Sequence, residues 1–298
     1  MNLIQELEKL HVGKIIKKPI MKKYTTYQVG GEAIAMIIPS DIADLIKLMD
    51  YVYKNNIKYK IIGNGSNLIF NDSGYDGIII RLDNFKQFEQ KGNTFTIGAG
   101  VSLIYAAMRA SKAGYTGFEF ATGIPGTLGG AVYMNAGAYQ SDMGYIVTEV
   151  KVLTPKLEIK TMYNRECDFH YRSSFFQRNP KYIVLEAKIV LKKGQVKAIM
   201  DVIEDRKKRR IASQPLKYPS AGSVFRNPKD DYAGRLIEEL GYKGKKIGGA
   251  EVSTMHANFI INTGKAKGED VKKLIMEIKD KVKEKYDIDL KCEQEFVD

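Results

Sequence analysis

The sequence predicts an α+β fold in three lobes, with boundaries near residues 78 and 195. Three observations carry that prediction. Short apolar runs alternate with an amphipathic helix in the first third of the chain. Strand-like segments bracket a long glycine-rich stretch in the middle third, and beyond Lys192-Lys-Gly194 long helical patterns take over.

In order along the chain, Tyr24-Thr-Thr-Tyr-Gln-Val29 reads as a strand running into Gly30-Gly31. Ser40-Asp41 caps a helix whose apolar positions Ile42, Leu45, Ile46, Met49 and Val52 recur at helical spacing. Tyr59-Lys-Ile-Ile62 is a short buried strand that ends in Gly63-Asn-Gly-Ser-Asn67, and Gly77-Ile-Ile-Ile-Arg-Leu82 is another. A strand at Thr94-Phe-Thr-Ile97 precedes a helix that begins at Ser102 and closes at Gly114. The glycine-rich stretch through Ala138 reads as loop. Strands over 147–153 and 182–191 bracket Tyr171-Arg-Ser-Ser-Phe175. The last lobe holds helices from Gln195 to about Arg210, over 233–240 and over 269–286, with strands at 249–252 and 257–261.

Composition narrows the functional classes. At 44% apolar and 28% charged residues the chain is an ordinary globular sequence. No run approaches the roughly 18 apolar residues of a membrane helix, and the first residues lack a signal peptide's charge layout, so the cytoplasm is expected. Cys167 and Cys292 are too few for a disulfide framework, and His11, His170 and His256 form no H-x-x-x-H pair, so no metal site is expected. The net charge of +12 suits a polyanion, a nucleotide diphosphate or a phosphorylated cofactor alike.

Two nucleotide motifs fail. Gly63-Asn-Gly65 and Gly98-Ala-Gly100 begin G-x-G, but Leu68 and Leu103 occupy the third glycine position. Gly-Lys at 13–14, 244–245 and 264–265 is never followed by Ser or Thr, which excludes a P-loop. The glycine loops that remain are of another kind. At Gly63, Asn64, Gly65, Ser66 and Asn67 the backbone can approach a phosphate, or simply turn tightly. Gly123-Ile-Pro-Gly-Thr-Leu-Gly-Gly130, followed by Asn135-Ala-Gly-Ala138, offers almost no bulky side chains. Such a run costs chain entropy unless something large packs against it, and two such loops suggest a dinucleotide.

Six segments occur in a telling order: Thr25-Thr-Tyr-Gln-Val-Gly-Gly31, Gly63-Asn-Gly-Ser-Asn-Leu68, the run from Gly123 to Gly137, Tyr171-Arg-Ser-Ser-Phe175, Ser220-Ala-Gly-Ser-Val-Phe-Arg-Asn-Pro228 and Ile247-Gly-Gly-Ala-Glu-Val-Ser253. Together they resemble the UDP-N-acetylenolpyruvoylglucosamine reductase (MurB) family, in its more compact variant, over nearly the whole chain. The resemblance implies a two-lobe FAD-binding domain of the vanillyl-alcohol-oxidase (PCMH) type, over 1–78 and 79–194, plus a C-terminal α+β substrate domain over 195–298. It implies non-covalent FAD, NADPH as hydride donor, and reduction of the enolpyruvyl ether of UDP-N-acetylglucosamine to UDP-N-acetylmuramate. It further implies a monomer that binds neither nucleic acid nor membrane.

Site residues follow from the same resemblance. Ser223 is the proton donor, Arg172 the cation beside the substrate carboxylate, and Glu293 the acidic partner, with Glu295 as the alternative. Glu293 stands three residues after Leu290, as in the family's L-x-x-E-V-R ending. The cofactor contacts implied are Gly63, Asn64, Gly65, Ser66, Asn67, Thr122, Gly123, Ile124, Pro125, Gly126, Gly129, Gly130, Asn135 and Gly137. The substrate contacts implied are Asn227, His256 and Lys217. The chemistry suits these residue types. Hydride addition to the enol ether builds charge next to a carboxylate, which a guanidinium can grip at two points, while serine is a weak acid that needs its neighbours' help.

The chain departs from the family pattern at three places. Tyr24 stands where many members have histidine, Gln140 where glycine is usual, and the ending lacks the usual valine–basic pair. A sugar or alcohol oxidase of the same fold class would explain the glycine loops but not Tyr171-Arg-Ser-Ser174 with the 222–228 segment. A basic nucleic-acid-binding protein would explain the charge and Arg206-Lys-Lys-Arg-Arg210, but none of the glycine motifs.

Overall fold

The computed structural model describes residues 3–298; the first two residues of the expected 1–78 lobe lie outside the described residues. The chain divides into two compact units. The first comprises the chain up to Lys17 with Ala35–Gly63 and Gly77–Lys208, and the second comprises Lys18–Ile34, Asn64–Asp76 and Arg209–Asp298.

In the first unit, Lys14–Lys17 pairs antiparallel with the outer part of Ala33–Ile38, and Tyr59–Ile62 runs parallel to Tyr75–Arg81 in the same four-stranded sheet. Helix Ile42–Lys54 starts where Asp41 accepts a hydrogen bond from the Asp44 N–H, and it buries Leu45, Leu48, Met49 and Val52. A five-stranded antiparallel sheet orders Ile159–Tyr163, Val147–Leu153, Ile183–Val190, Thr94–Gly98 and Phe88–Lys91. Alternation along its middle strands puts Val150, Val152, Ala187, Ile189, Phe95 and Ile97 in the core. Ser102 caps helix Leu103–Lys112, and Gly114 follows at φ +82°, as the sequence predicts.

The glycine-rich stretch departs from the expected loop. Glu119–Gly123 forms a 3-10 turn and Leu128–Met134 an α-helix. Two glycines cost that helix about 1 kcal/mol each in propensity. Burial of Leu128, Ala131 and Val132, and the Thr127 hydroxyl accepting from the Gly130 N–H, outweigh the cost. Asn135 ends the helix in the left-handed region at φ +43°. A hairpin then pairs Gly137–Ala138 with Ser141–Asp142 through Tyr139 and Gln140, both at positive φ, as a two-residue turn of this hand requires.

The second unit is built on an apolar cluster that includes Tyr27, Val29, Ile69, Phe225, Leu236, Ile237, Val252, Ile260, Leu274 and Ile278. Helix Gly268–Tyr286 lays its apolar face on this cluster, and the three-stranded sheet Lys246–Ile247, Ala250–Val252, Ile260–Asn262 belongs to the same unit. The last strand, Glu295–Val297, pairs in parallel with Leu68–Phe70. The strand expected at 24–29 does not form. Tyr27 is wholly buried, Gln28 sits at φ +56°, and the Thr25 hydroxyl donates to the Val29 carbonyl at 3.0 Å, so side-chain bonding closes a turn instead. No described helix is long and apolar enough to cross a membrane.

Candidate active site

In the second unit the loop after Gly63 has the form of an anion cradle. Gly65 lies at φ +61°, and a Cβ there would stand 2.3 Å from the Tyr24 carbonyl oxygen, so glycine is obligatory. Among the described residues, the backbone N–H groups of Asn64, Gly65 and Ser66 have no acceptor. Consecutive N–H groups around a left-handed residue form a concavity suited to phosphate. Thr26 donates its N–H to the Gly65 carbonyl at 3.4 Å, and its buried hydroxyl has no hydrogen-bond partner. A hydroxyl left alone in this place and free N–H groups beside it fit a phosphorylated ligand. Thr26 escaped the sequence reading although it lies inside a quoted motif.

The first unit holds the other glycine loop. A Cβ on Gly63 would meet the Thr127 hydroxyl at 2.4 Å, and one on Gly129 would meet Ala99 at 3.0 Å. The N–H groups of Leu128, Gly129 and Gly130 are taken by Val101, Ala99 and the Thr127 side chain. Thr122 donates its hydroxyl to the Glu119 carbonyl at 2.8 Å, and Gly126 donates to Ile124 at 2.9 Å. Gly123, Ile124 and Gly130 are at least partly exposed, and Pro125 is exposed. Asn135 is 1% exposed, its amide donating to the His170 carbonyl at 2.8 Å and accepting from the Gly144 N–H at 2.9 Å. A Cβ on Gly137 would strike Ser141 and Asp142 within 2.5 Å. Asn135 and Gly137 therefore shape the loop through protein contacts.

Arg172 belongs to this unit. It sits at φ +53° on a tight turn closed by two hydrogen bonds between His170 and Ser173, with its guanidinium 5.3 Å from the centre of the Tyr171 ring. Ser174, fully buried, donates to the Tyr133 carbonyl at 2.6 Å and caps the short helix Phe175–Arg178. Asn135 thus ties the glycine stretch to the turn that carries Arg172. Burial raises the Asp142 carboxyl above its usual range, against the lowering effect of its hydrogen bonds and of Arg172.

The second unit brings together Ser223, Glu293 and Asn67. The Glu293 N–H donates to the Val224 carbonyl at 2.8 Å, one residue from Ser223, and Asn67 donates its amide to the Glu293 carbonyl at 2.9 Å. Val224 and Phe225 donate to the carbonyl and side chain of Asn258, each at 2.9 Å. Glu295 lies on the strand paired with Leu68, and burial together with the Glu295 charge pushes the Tyr75 phenol up to about 12. Asn227 is exposed, and its side-chain amide oxygen accepts at 3.2 Å from the N–H of Ala233, the first residue of helix Ala233–Glu239. His256 accepts from the Asn258 N–H at 3.2 Å and packs on Phe259; burial, and less strongly Lys243, lower its pKa. Lys217 is exposed on the loop after the long helix Val196–Ser213. The sequence reading passed over Arg226, whose Nε is buried without a partner, and Gln294, which is 4% exposed between the two glutamates.

Comparison with known proteins defines the class first. Residues 33–162 match the family model described as an FAD binding domain, so the chain has the architecture of a flavoenzyme. Residues 214–297 match the C-terminal domain of UDP-N-acetylenolpyruvoylglucosamine reductase. The enzyme of that name from Bacillus licheniformis is 43% identical over 99% of this chain and 98% of its own length, and that from Bacillus subtilis (strain 168) is 40% identical with the same coverage. The crystal structure of the MurB reductase from Thermus caldophilus superposes with a TM-score of 0.81 at 32% identity, covering 96% of this chain and 98% of that one. The chain belongs to the UDP-N-acetylenolpyruvoylglucosamine reductase family.

Proposed function

We propose that Ser223, Arg172 and Glu293 carry the chemistry of an FAD-dependent reductase of peptidoglycan precursor synthesis. The chain reduces the enolpyruvyl ether of UDP-N-acetylglucosamine to UDP-N-acetylmuramate, with NADPH as hydride donor. Bound FAD supplies the relay of hydride from NADPH to the substrate's methylene carbon. Ser223 gives its hydroxyl proton to the α-carbon, completing the reduction. Arg172 holds the substrate carboxylate and offsets the charge that builds there, and Glu293 assists the proton transfer. The observation that carries the assignment is the pairing of the 293 segment with the 224 segment at 2.8 Å, which fixes the acid and the serine on adjacent backbone.

Asn64, Gly65, Ser66 and Asn67 hold the cofactor's phosphates through the backbone cradle. Gly63, Thr122, Gly123, Ile124, Pro125, Gly126, Gly129 and Gly130 are further cofactor contacts, and Asn135 and Gly137 keep their loop in shape. Asn227, His256 and Lys217 take the nucleotide diphosphate of the substrate. The lobes 1–78 and 79–194 serve FAD and 195–298 the sugar nucleotide. The enzyme acts as a monomer in the cytoplasm, without nucleic acid or membrane, and its product supports cell shape, division and the cell cycle through the wall.

Protein titrated with FAD is expected to show a flavin spectrum and to turn over NADPH repeatedly only when the enolpyruvyl sugar nucleotide is supplied. Colourless protein after FAD addition would sink the assignment. Flavin reduction by a sugar or alcohol, with dioxygen consumed and hydrogen peroxide formed, would instead favour an oxidase of the same fold class. Ser223→Ala is expected to keep flavin and its reduction by NADPH while losing turnover.

A further inference from the structure

We propose that Gln294 is a positioning residue that sets the backbone of Ser223; the inference rests on Ser223 as the proton donor. Gln294 is 4% exposed, and its side chain spends every hydrogen-bonding group inside the protein. Its amide oxygen accepts from the Tyr27 hydroxyl at 3.1 Å. Its amide nitrogen lies 3.2, 3.3 and 3.4 Å from the carbonyl oxygens of Ala221, Gly222 and Ser223. Three successive carbonyls converge on one NH₂ only where the chain turns sharply, and Gly222 supplies that turn at φ +76°. Tyr27 is wholly buried and burial raises its phenol, so it remains a donor and orients the amide.

The division of labour is clear around Ser223. Asn258 and the Glu293 N–H hold Val224 and Phe225 on the C-terminal side. Gln294 holds the carbonyls up to and including Ser223 itself. Without Gln294 the residues before Val224 would turn freely about Gly222, where a Cβ would find nothing within 4 Å. A proton donor must stay within a few tenths of an ångström of its line to carbon, and a misplacement of about 1 Å can cost on the order of 100-fold in rate. At this position the L-x-x-E-V-R ending has valine, which cannot donate to a carbonyl. The Tyr27–Gln294 pair thus links residues 267 positions apart at the backbone that carries Ser223.

The test uses the FAD-loaded enzyme with Tyr27→Phe and Gln294→Val combined, so that no buried hydroxyl is orphaned. Stopped-flow absorbance follows flavin reduction by NADPH and reoxidation by the enolpyruvyl sugar nucleotide. The expected result is parental flavin reduction, reoxidation slowed roughly 10- to 100-fold, KM changed far less than kcat, and faster hydrogen exchange at 221–223 in the flavin-free protein. Gln294→Val alone would show the same slowing. Parental reoxidation by the double variant, with Ser223→Ala slow in the same assay, overturns the positioning role alone. Parental reoxidation by Ser223→Ala overturns the proton-donor assignment and the positioning role with it.

Discussion

Gly65 and Gly222 offer a matched pair of substitutions that separates conformational cost from steric cost. Both sit in the left-handed region, at φ +61° and +76°. An alanine at either pays about 1 kcal/mol for that backbone conformation. At Gly222 nothing lies within 4 Å of the new Cβ, so Gly222→Ala should stop there. At Gly65 the Cβ would lie 2.3 Å from the Tyr24 carbonyl oxygen and 2.9 Å from the Thr25 Cα, both backbone atoms. Ordinary contact begins near 3.4 Å, so the loop must shift by about 1 Å, and the N–H groups of Asn64, Gly65 and Ser66 shift with it. Misaligning two or three charge-assisted hydrogen bonds at about 1.5 kcal/mol each weakens FAD by roughly 100-fold or more. Fluorescence titration of the flavin-free protein measures the affinity, and urea unfolding measures stability. Gly222→Ala should hold FAD normally and lose only about 1 kcal/mol. Equal FAD affinity for Gly65→Ala and the parent would refute the phosphate cradle.

Other expectations follow from single side chains. Asn135→Ala removes two buried hydrogen bonds, to His170 and from Gly144, and should destabilise by about 2–3 kcal/mol in urea unfolding while also lowering kcat through the Arg172 turn. Gln140→Gly relieves a left-handed side-chain residue at φ +59° and should raise the thermal midpoint, by about 1 kcal/mol of stability. Glu293→Gln should cut kcat on the order of 100-fold, whereas Glu295→Gln should leave it within a few-fold; the reverse ranking would transfer the acidic role to Glu295. Burial lowers the His256 pKa, so the unfolded chain takes up the proton first as pH falls. Stability is therefore lost as pH drops through 6.5, the value for unperturbed histidine, and unfolding curves of His256→Gln should show a flatter pH dependence there.

Much of the fold is legible in local pattern. Helices Ile42–Lys54, Leu103–Lys112 and Gly268–Tyr286 announce themselves by apolar residues three and four apart and, for the first two, by a capping side chain. The strands Val147–Leu153 and Ile183–Val190 read equally well from their β-branched runs. The readings that failed have a common cause. Leu128–Met134 looks like loop because two of its residues are glycines, and only the burial of Leu128, Ala131 and Val132 makes it helix. The 24–29 segment looks like strand because its composition is β-rich, yet burial of Tyr27 and the Thr25 hydroxyl's bond to Val29 turn it.

The candidate site divides along the same line. Residue order alone determined the family, and with it the FAD chemistry, because six spaced motifs need no coordinates to be compared; two of those motifs hold Arg172 and Ser223, and the spacing from Leu290 singled out Glu293. Tertiary structure decided how those residues are held. The pairing of the last strand with Leu68–Phe70 brings Glu293 to Asn67 across 226 positions. Parallel pairing has no local signature, since its hydrogen bonds join segments whose own sequences are compatible with many partners. Gln294 is the clearest case. As a letter between two glutamates it says nothing, and its role appears only when Tyr27 and the carbonyls before Val224 close around one buried amide, which must find all its partners once water is excluded.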